Sequence, residues 1–179
     1  MKNDPIPVFA LALEEAKVQH DPEIAEKLIR YLADRQMSLC TAESVTGGSI
    51  AKRLCAVPGA SEVYMGGAVS YNTRLKLQWC GVSPKTIQTH GEVSARTAIE
   101  MATGTRKVCK TSVAISTTGF AGPATPQTTL PVGTVFVAVD IQGKNSVVRH
   151  LTFSGTRTDI QDKAAQAALV LCYEHLSHT

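Results

Sequence analysis

Three short stretches of the chain carry side chains able to do chemistry together. The first is Ala42-Glu43-Ser44-Val45-Thr46-Gly47-Gly48, which reads as a tight turn from a strand into a helix with a serine exposed on it. The N–H groups of Thr46, Gly47 and Gly48 would open that helix. They would offer donors to an anion, either a phosphate or the oxyanion of a tetrahedral intermediate. A Ser or Thr ahead of a helix start is also a common cap, so this stretch alone leaves both readings open. The second stretch is Tyr71-Asn72-Thr73-Arg74-Leu75-Lys76, where Tyr71 ends a strand and Lys76 lies one turn into the next helix. A lysine in a partly dry pocket loses its proton near neutrality and serves as base for a serine; a lysine on the surface does neither. The third is Thr117-Thr118-Gly119-Phe120-Ala121-Gly122-Pro123, leading to Pro131-Val132-Gly133-Thr134. It supplies hydroxyls and backbone donors, though many turns of this composition bind nothing.

The elements around these stretches alternate. Asp21-Pro22 suits a helix start, and Ile24, Leu28, Ile29 and Leu32 then recur at helical spacing to about Arg35. Ser38–Ala42 reads as a strand, Ser49–Leu54 as a helix stopped by Pro58-Gly59, and Glu62–Tyr71 as a buried strand with close backbone packing at Gly66-Gly67. Asn72 caps a helix through Trp79, Ser83-Pro84 starts another, and Ser94 caps a longer one. Thr111–Ser116 is an apolar strand, followed by a loop from Thr117 to Pro131. Val132–Asp140 and Ser146–Phe153 form a hairpin about Gln142–Asn145. Thr156 or Thr158 opens a terminal helix with Ala164, Ala165, Ala168, Leu169, Leu171 and Cys172 on its apolar face. This order predicts an α/β fold of three layers, a mixed sheet covered by helices on both faces. Ligands of such sheets usually lie beyond the carboxyl ends of strands, where the three stretches would converge.

Composition bounds the rest. The 179 residues suit one domain (21–179) preceded by an arm (1–20), and a hydrophobic share of 44% with only 5% aromatics calls for a core of Ala, Val, Ile and Leu. A net charge of +3, with basic residues scattered, argues against a nucleic-acid partner. The apolar run Pro7–Leu13 is too short to span a bilayer. Five cysteines without a Cys-x-x-Cys pair read as reduced thiols of a cytoplasmic protein. His175 and His178 lack a third ligand, read as a frayed tail, and leave no expected metal site.

Taken together, the segments Thr41-Ala42-Glu43-Ser44-x-Thr46-Gly47-Gly48, Pro58-Gly59-Ala60-Ser61, His90-Gly91-x-Val93-Ser94, Thr118-Gly119-x-Ala121-Gly122-Pro123, Pro131-Val132-Gly133-Thr134-Val135 and Phe153-Ser154-Gly155-x-Arg157 resemble the CinA C-terminal domain family. The resemblance covers about Glu23 to Leu176, without the larger N-terminal domain of full-length relatives, and so looks like the stand-alone (PncC-like) form. It implies an amidohydrolase that turns nicotinamide mononucleotide and water into nicotinate mononucleotide and ammonia, with no cofactor. Ser44 would be the nucleophile, Lys76 its general base, and Tyr71 would complete the hydroxyl network. Thr118 and N–H groups near Gly47 and Gly119 would hold the oxyanion or substrate, and Arg157 would anchor the phosphate. It also implies a homo-oligomer, dimer or larger, for which the Ala-rich terminal helix and the apolar N-terminal arm are the expected contacts.

The chain departs from the family pattern at Val45 (usually Cys), at Arg74 (usually acidic) and at Ala124–Leu130, which lacks the family's glycines. Val45 reads as a packing change, Arg74 as a charge that disfavours protonated Lys76 or alters substrate choice, and the loop as a reshaped substrate mouth. A second reading therefore stands beside the amidase: an inactive relative that keeps the pocket as a nucleotide-binding or assembly module.

Overall fold

Residues 20–124 and 129–178 are described by the computed structural model; residues 1–19 of the N-terminal arm, Thr125–Thr128 and Thr179 lie outside them. Asp21 accepts the Glu23 N–H at 2.9 Å, and helix α1 (Ile24–Ala33) then buries Ile24, Leu28, Ile29 and Leu32 along one side. Strand β1 (Leu39–Glu43) and helix α2 (Ser49–Cys55) follow. A 3-10 turn at Ala60–Glu62 precedes β2 (Tyr64–Val69), so this strand is shorter than its apolar run suggests. Helices α3 (Thr73–Cys80), α4 (Pro84–His90) and α5 (Ala95–Cys109) start at the expected caps: Asn72, Ser83 and Ser94 each accept a backbone N–H. Strands β3 (Val113–Gly119), β4 (Thr134–Ile141) and β5 (Val147–Thr152) and helix α6 (Arg157–Ser177) complete the chain. Thr156 opens α6 through a reciprocal capping box with Asp159.

The sheet runs β2-β1-β3-β4-β5. The first three strands are parallel, and β3-β4-β5 form an antiparallel meander. Side chains alternate across it as strand geometry requires. Leu39, Val113, Ile115, Val137 and Val139 meet Leu28, Leu32, Ala164, Ala168 and Leu169 of α1 and α6 in one core. Cys40, Ala114, Phe136 and Ala138 meet Ala98, Ile99 and Ala102 of α5 in the other. The expected three-layer mixed sheet is thus the observed fold. No helix among the described residues is long and apolar enough to cross a membrane.

Three sequence expectations are corrected. Strand β3 runs on to Gly119 instead of ending at Ser116, because Thr117, Thr118 and Gly119 keep pairing with Val137, Phe136 and Val135. The alanines of α6 are already buried in the core (Ala164, Ala165 and Ala168 all at 0% exposure), which leaves that face nothing to offer a second subunit. His175 belongs to the last turn of α6, not to a frayed tail. Of the five thiols, Cys40, Cys80 and Cys172 are buried, whereas Cys55 and Cys109 are exposed.

Two contacts fix the elements that matter for function. The buried carboxylate of Glu43 caps α2 from a distance in sequence: Oε2 accepts the N–H groups of Gly48 (3.0 Å) and Ile50 (3.1 Å), and Oε1 that of Ala51 (2.8 Å). This satisfies donors that a helix start leaves open and places a negative charge where the helix dipole favours it. Gly48 itself sits at φ +100°, a conformation that L side chains rarely adopt. On the other face, a Cβ on Gly104 of α5 would lie 1.9 Å from the Cys80 carbonyl oxygen, so α3 rests directly on the α5 backbone. Gly104→Ala is expected to lower the unfolding free energy by about 1–3 kcal/mol in urea denaturation; an unchanged midpoint would mean that α3 shifts freely. Glu43→Gln turns an amide NH₂ toward backbone donors and is expected to cost about 1–3 kcal/mol in the same measurement.

Candidate active site

Because β2, β1 and β3 are parallel, their carboxyl ends finish at one edge of the sheet, and the three chemistry-bearing stretches meet there. Ser44 directly follows β1, its N–H donating to the Thr117 carbonyl at 3.0 Å. Ser70 and Tyr71 follow β2, and Thr118 and Gly119 end β3. The loop between α4 and α5 adds Glu92 and Val93, and α6 adds Arg157. Together these surround a cavity of about 200 Å³ that Ser44, Tyr71, Lys76, Thr118 and Gly119 also line.

Lys76 is the least expected occupant of this site by residue type. Its side chain is 1% exposed, among the largest fully buried side chains of the protein. Nζ lies 2.9 Å from Ser44 Oγ, 2.9 Å from the Ser70 carbonyl oxygen and 3.4 Å from that of Tyr71. Burial pulls its pKa below the ordinary 10.5, with the Glu92 carboxylate the leading influence in the opposite direction. Exposed Arg74 has no part in this shift, which corrects the expectation that its charge sets the lysine's protonation. A neutral amine has two N–H donors and one lone pair. With the amine neutral, the two carbonyls would accept the donors and the lone pair would be left for the Ser44 hydroxyl proton. The sequence offered no sign of the two carbonyls, since any residue type presents one.

Other predicted site residues sit differently from their expected roles. The Thr46 hydroxyl donates to Glu43 Oε2 at 2.7 Å and lies 2.7 Å from the Thr117 hydroxyl, behind Ser44 and away from the cavity. The Gly48 N–H is taken by Glu43 and the Gly47 N–H by the Ser44 carbonyl at 3.2 Å, so neither is free for an oxyanion. Among the described residues, the N–H groups of Val45 and Thr46 have no acceptor. Thr118 lines the cavity, but its single hydroxyl proton goes to the Glu92 carbonyl at 2.7 Å, so it holds the wall and donates nothing to a ligand. Gly119 lines the cavity as backbone; a Cβ there would meet the Thr134 carbonyl at 2.5 Å.

The Tyr71 phenol bonds to the Arg157 guanidinium and not to Ser44, while the Tyr71 carbonyl faces Lys76. Arg157 also donates to the Gly122 carbonyl at 2.6 Å and has no carboxylate partner among the described residues, so its charge at the exposed mouth is available to an anion. Val45 is buried in the core with its carbonyl accepting from Gln161 at 2.9 Å, in keeping with a packing role. Of the altered loop, Ala124 lines the cavity and Thr125–Thr128 lie outside the described residues. Sequence reasoning passed over Glu43, Glu92 and Gln161. Glu92 stood unremarked inside His90-Gly91-x-Val93-Ser94, and Gln161 is one helical turn past Arg157, a spacing that puts both on one face.

Comparison with known proteins agrees with the fold and these motifs. The family model described as the CinA C-terminal domain matches residues 21–176. A CinA-like protein of Myxococcus xanthus is 42% identical over 139 residues, covering 78% of this chain and 33% of that protein. The crystal structure of a competence or damage-inducible protein from Enterobacter asburiae superposes with a TM-score of 0.84 at 34% identity, over 87% of this chain and 97% of that one. A CinA superfamily protein from Klebsiella pneumoniae gives a TM-score of 0.85 at 30% identity, over 90% and 100% of the two chains. This chain spans about a third of the length of the curated relatives it matches. It belongs to the CinA family, with the family's C-terminal domain extending over nearly all of it.

Proposed function

We propose that this domain is a Ser–Lys amidohydrolase acting on nicotinamide mononucleotide, releasing nicotinate mononucleotide and ammonia. The observation that carries this reading is the Lys76 amine, buried 2.9 Å from the Ser44 hydroxyl with its other contacts spent on main-chain carbonyls. An amine so placed takes a proton from serine and returns it to a leaving group, which is what an amide demands. Lys76 removes the Ser44 proton as Oγ adds to the amide carbon. The N–H of Val45, the residue after the nucleophile, has no acceptor among the described residues and supports the oxyanion. Collapse breaks the C–N bond, and the Lys76 proton leaves with ammonia. Water, deprotonated by the same amine, then cleaves the acyl ester and restores Ser44. The cavity of about 200 Å³ suits the ring and its carboxamide, while exposed Arg157 takes the phosphate at the mouth.

Ammonia release from nicotinamide mononucleotide tests the reading. Ser44→Ala is expected to lower kcat by about 10³-fold or more. Release that persists in that variant would overturn the mechanism, and none from the folded parent would leave a nucleotide-binding or assembly module. The pH profile follows from the direction of the Lys76 shift. Only the neutral amine accepts a proton, so kcat/KM rises with pH through a pKa below 10.5 and then levels. Lys76→Arg, which keeps the charge but never deprotonates, is expected to be inactive throughout. Arg157→Ala is expected to raise KM roughly ten- to a hundredfold with little change in kcat; an unchanged KM would remove Arg157 from the phosphate site.

A further inference from the structure

Glu92 is a carboxylate that the mechanism above does not use. It lines the same cavity as Ser44 and Lys76 and is pinned at both ends. Its Oε2 accepts from the Thr73 hydroxyl of α3, and its main-chain carbonyl accepts from the Thr118 hydroxyl of β3 at 2.7 Å. Among the described residues, no ammonium or guanidinium lies within ion-pair distance of it. Glu92 is half-buried, and a carboxylate partly withdrawn from water without an opposite charge gains when a positive group arrives. Lys76 does not supply that group when substrate binds, since it must be neutral at that point to act as base. In the competent state the cavity therefore holds one formal negative charge at Glu92, and one positive charge at its mouth, Arg157.

We propose that Glu92 is a specificity-determining residue that selects substrates whose carboxamide is carried on a cationic ring. The inference rests on the amidase reading and names the substrate class of that same site. The polarity of the cavity matches a zwitterion with its positive ring inside and its anionic group at the mouth. A pyridinium ring gains an attraction to Glu92 in a partly dry setting, where charges are weakly screened. A neutral ring of the same shape gains nothing and further strips Glu92 of water, so discrimination comes from both directions. Thr73 and Thr118 act as positioning residues that keep the carboxylate on the wall.

The test pairs nicotinamide mononucleotide with its 1,4-dihydro form, which keeps the carboxamide, ribose and phosphate but has an uncharged ring. Binding is measured by calorimetry to the full chain carrying Ser44→Ala, with and without Glu92→Gln, so that turnover does not enter. Glutamine keeps the shape and an acceptor for Thr73, and the melting temperature reports whether the fold is retained. The expected result is that Glu92→Gln weakens the cationic ligand about tenfold or more and leaves the dihydro ligand unchanged or tighter. Equal weakening of both, or no change in either, would overturn the assignment while leaving the amidase reading intact. If the Ser44→Ala chain binds neither ligand, the substrate reading fails and this inference with it. A role confined to tuning Lys76 is separated in the Ser44-containing enzyme. There, Glu92→Gln would move the pH profile equally for both substrates and leave their KM ratio alone, a result that would also overturn the proposal.

Discussion

The placement of one amine in a dry environment governs the chemistry open to this protein. Lys76 leaves solvent almost completely, which favours its neutral form and pulls its pKa below the ordinary 10.5. Burial alone would also make it a liability, since an amine with unmet donors costs stability. The carbonyls of Ser70 and Tyr71 meet those donors, and they are available because β2 stops pairing at Val69, just where the chain turns toward α3. The end of a strand, the start of a helix and the burial of a side chain are thus one arrangement.

That arrangement constrains its neighbours. For Lys76 to reach Ser44, α3 must lie tight against α5, and Gly104 permits the approach by having no Cβ to strike the Cys80 carbonyl. Ser44 in turn must be presented on a short turn, and the carboxylate of Glu43 secures that turn by gathering the donors of Gly48, Ile50 and Ala51. The Thr46 and Thr117 hydroxyls bridge the same carboxylate to β3. Two adjacent residues therefore divide the work by strand alternation: Glu43 faces the helix it caps and Ser44 faces the cavity. Several glycine and threonine groups that resemble ligand donors in the motif are consumed in building this support. Their hydrogen bonds are internal, and a motif match does not reveal that.

The electrostatics of the cavity follow from which charges are paired and which are not. Arg106 and Asp140 neutralise each other between α5 and β4, and the remaining ion pairs lie at the surface, where each contributes little. Glu92 and Arg157 instead face the cavity without an ionic partner among the described residues. A site that leaves opposite charges unpaired at its wall and mouth is polarised before any ligand arrives, so its preference lies in the distribution of charge as much as in shape.

The elements and their order are legible in the amino-acid sequence. The apolar run within Val132–Asp140, the helical spacing of Ile24, Leu28 and Leu32, and caps at Asn72, Ser83, Ser94 and Thr156 are local properties, set by side-chain period and by donors within a few residues. It also named Ser44, Lys76 and Arg157 through motif types, since those chemistries require those side chains. Which hydrogen bonds the named groups make depends on the packed fold. Thr118 bonding to Glu92, Gly48 to Glu43 and the Tyr71 phenol to Arg157 depend on where β3, β1 and α6 lie across the sheet. The dryness of Lys76 likewise belongs to no local pattern, because burial is the sum of everything packed around a residue, and contacts between segments distant in the chain are not written in either segment.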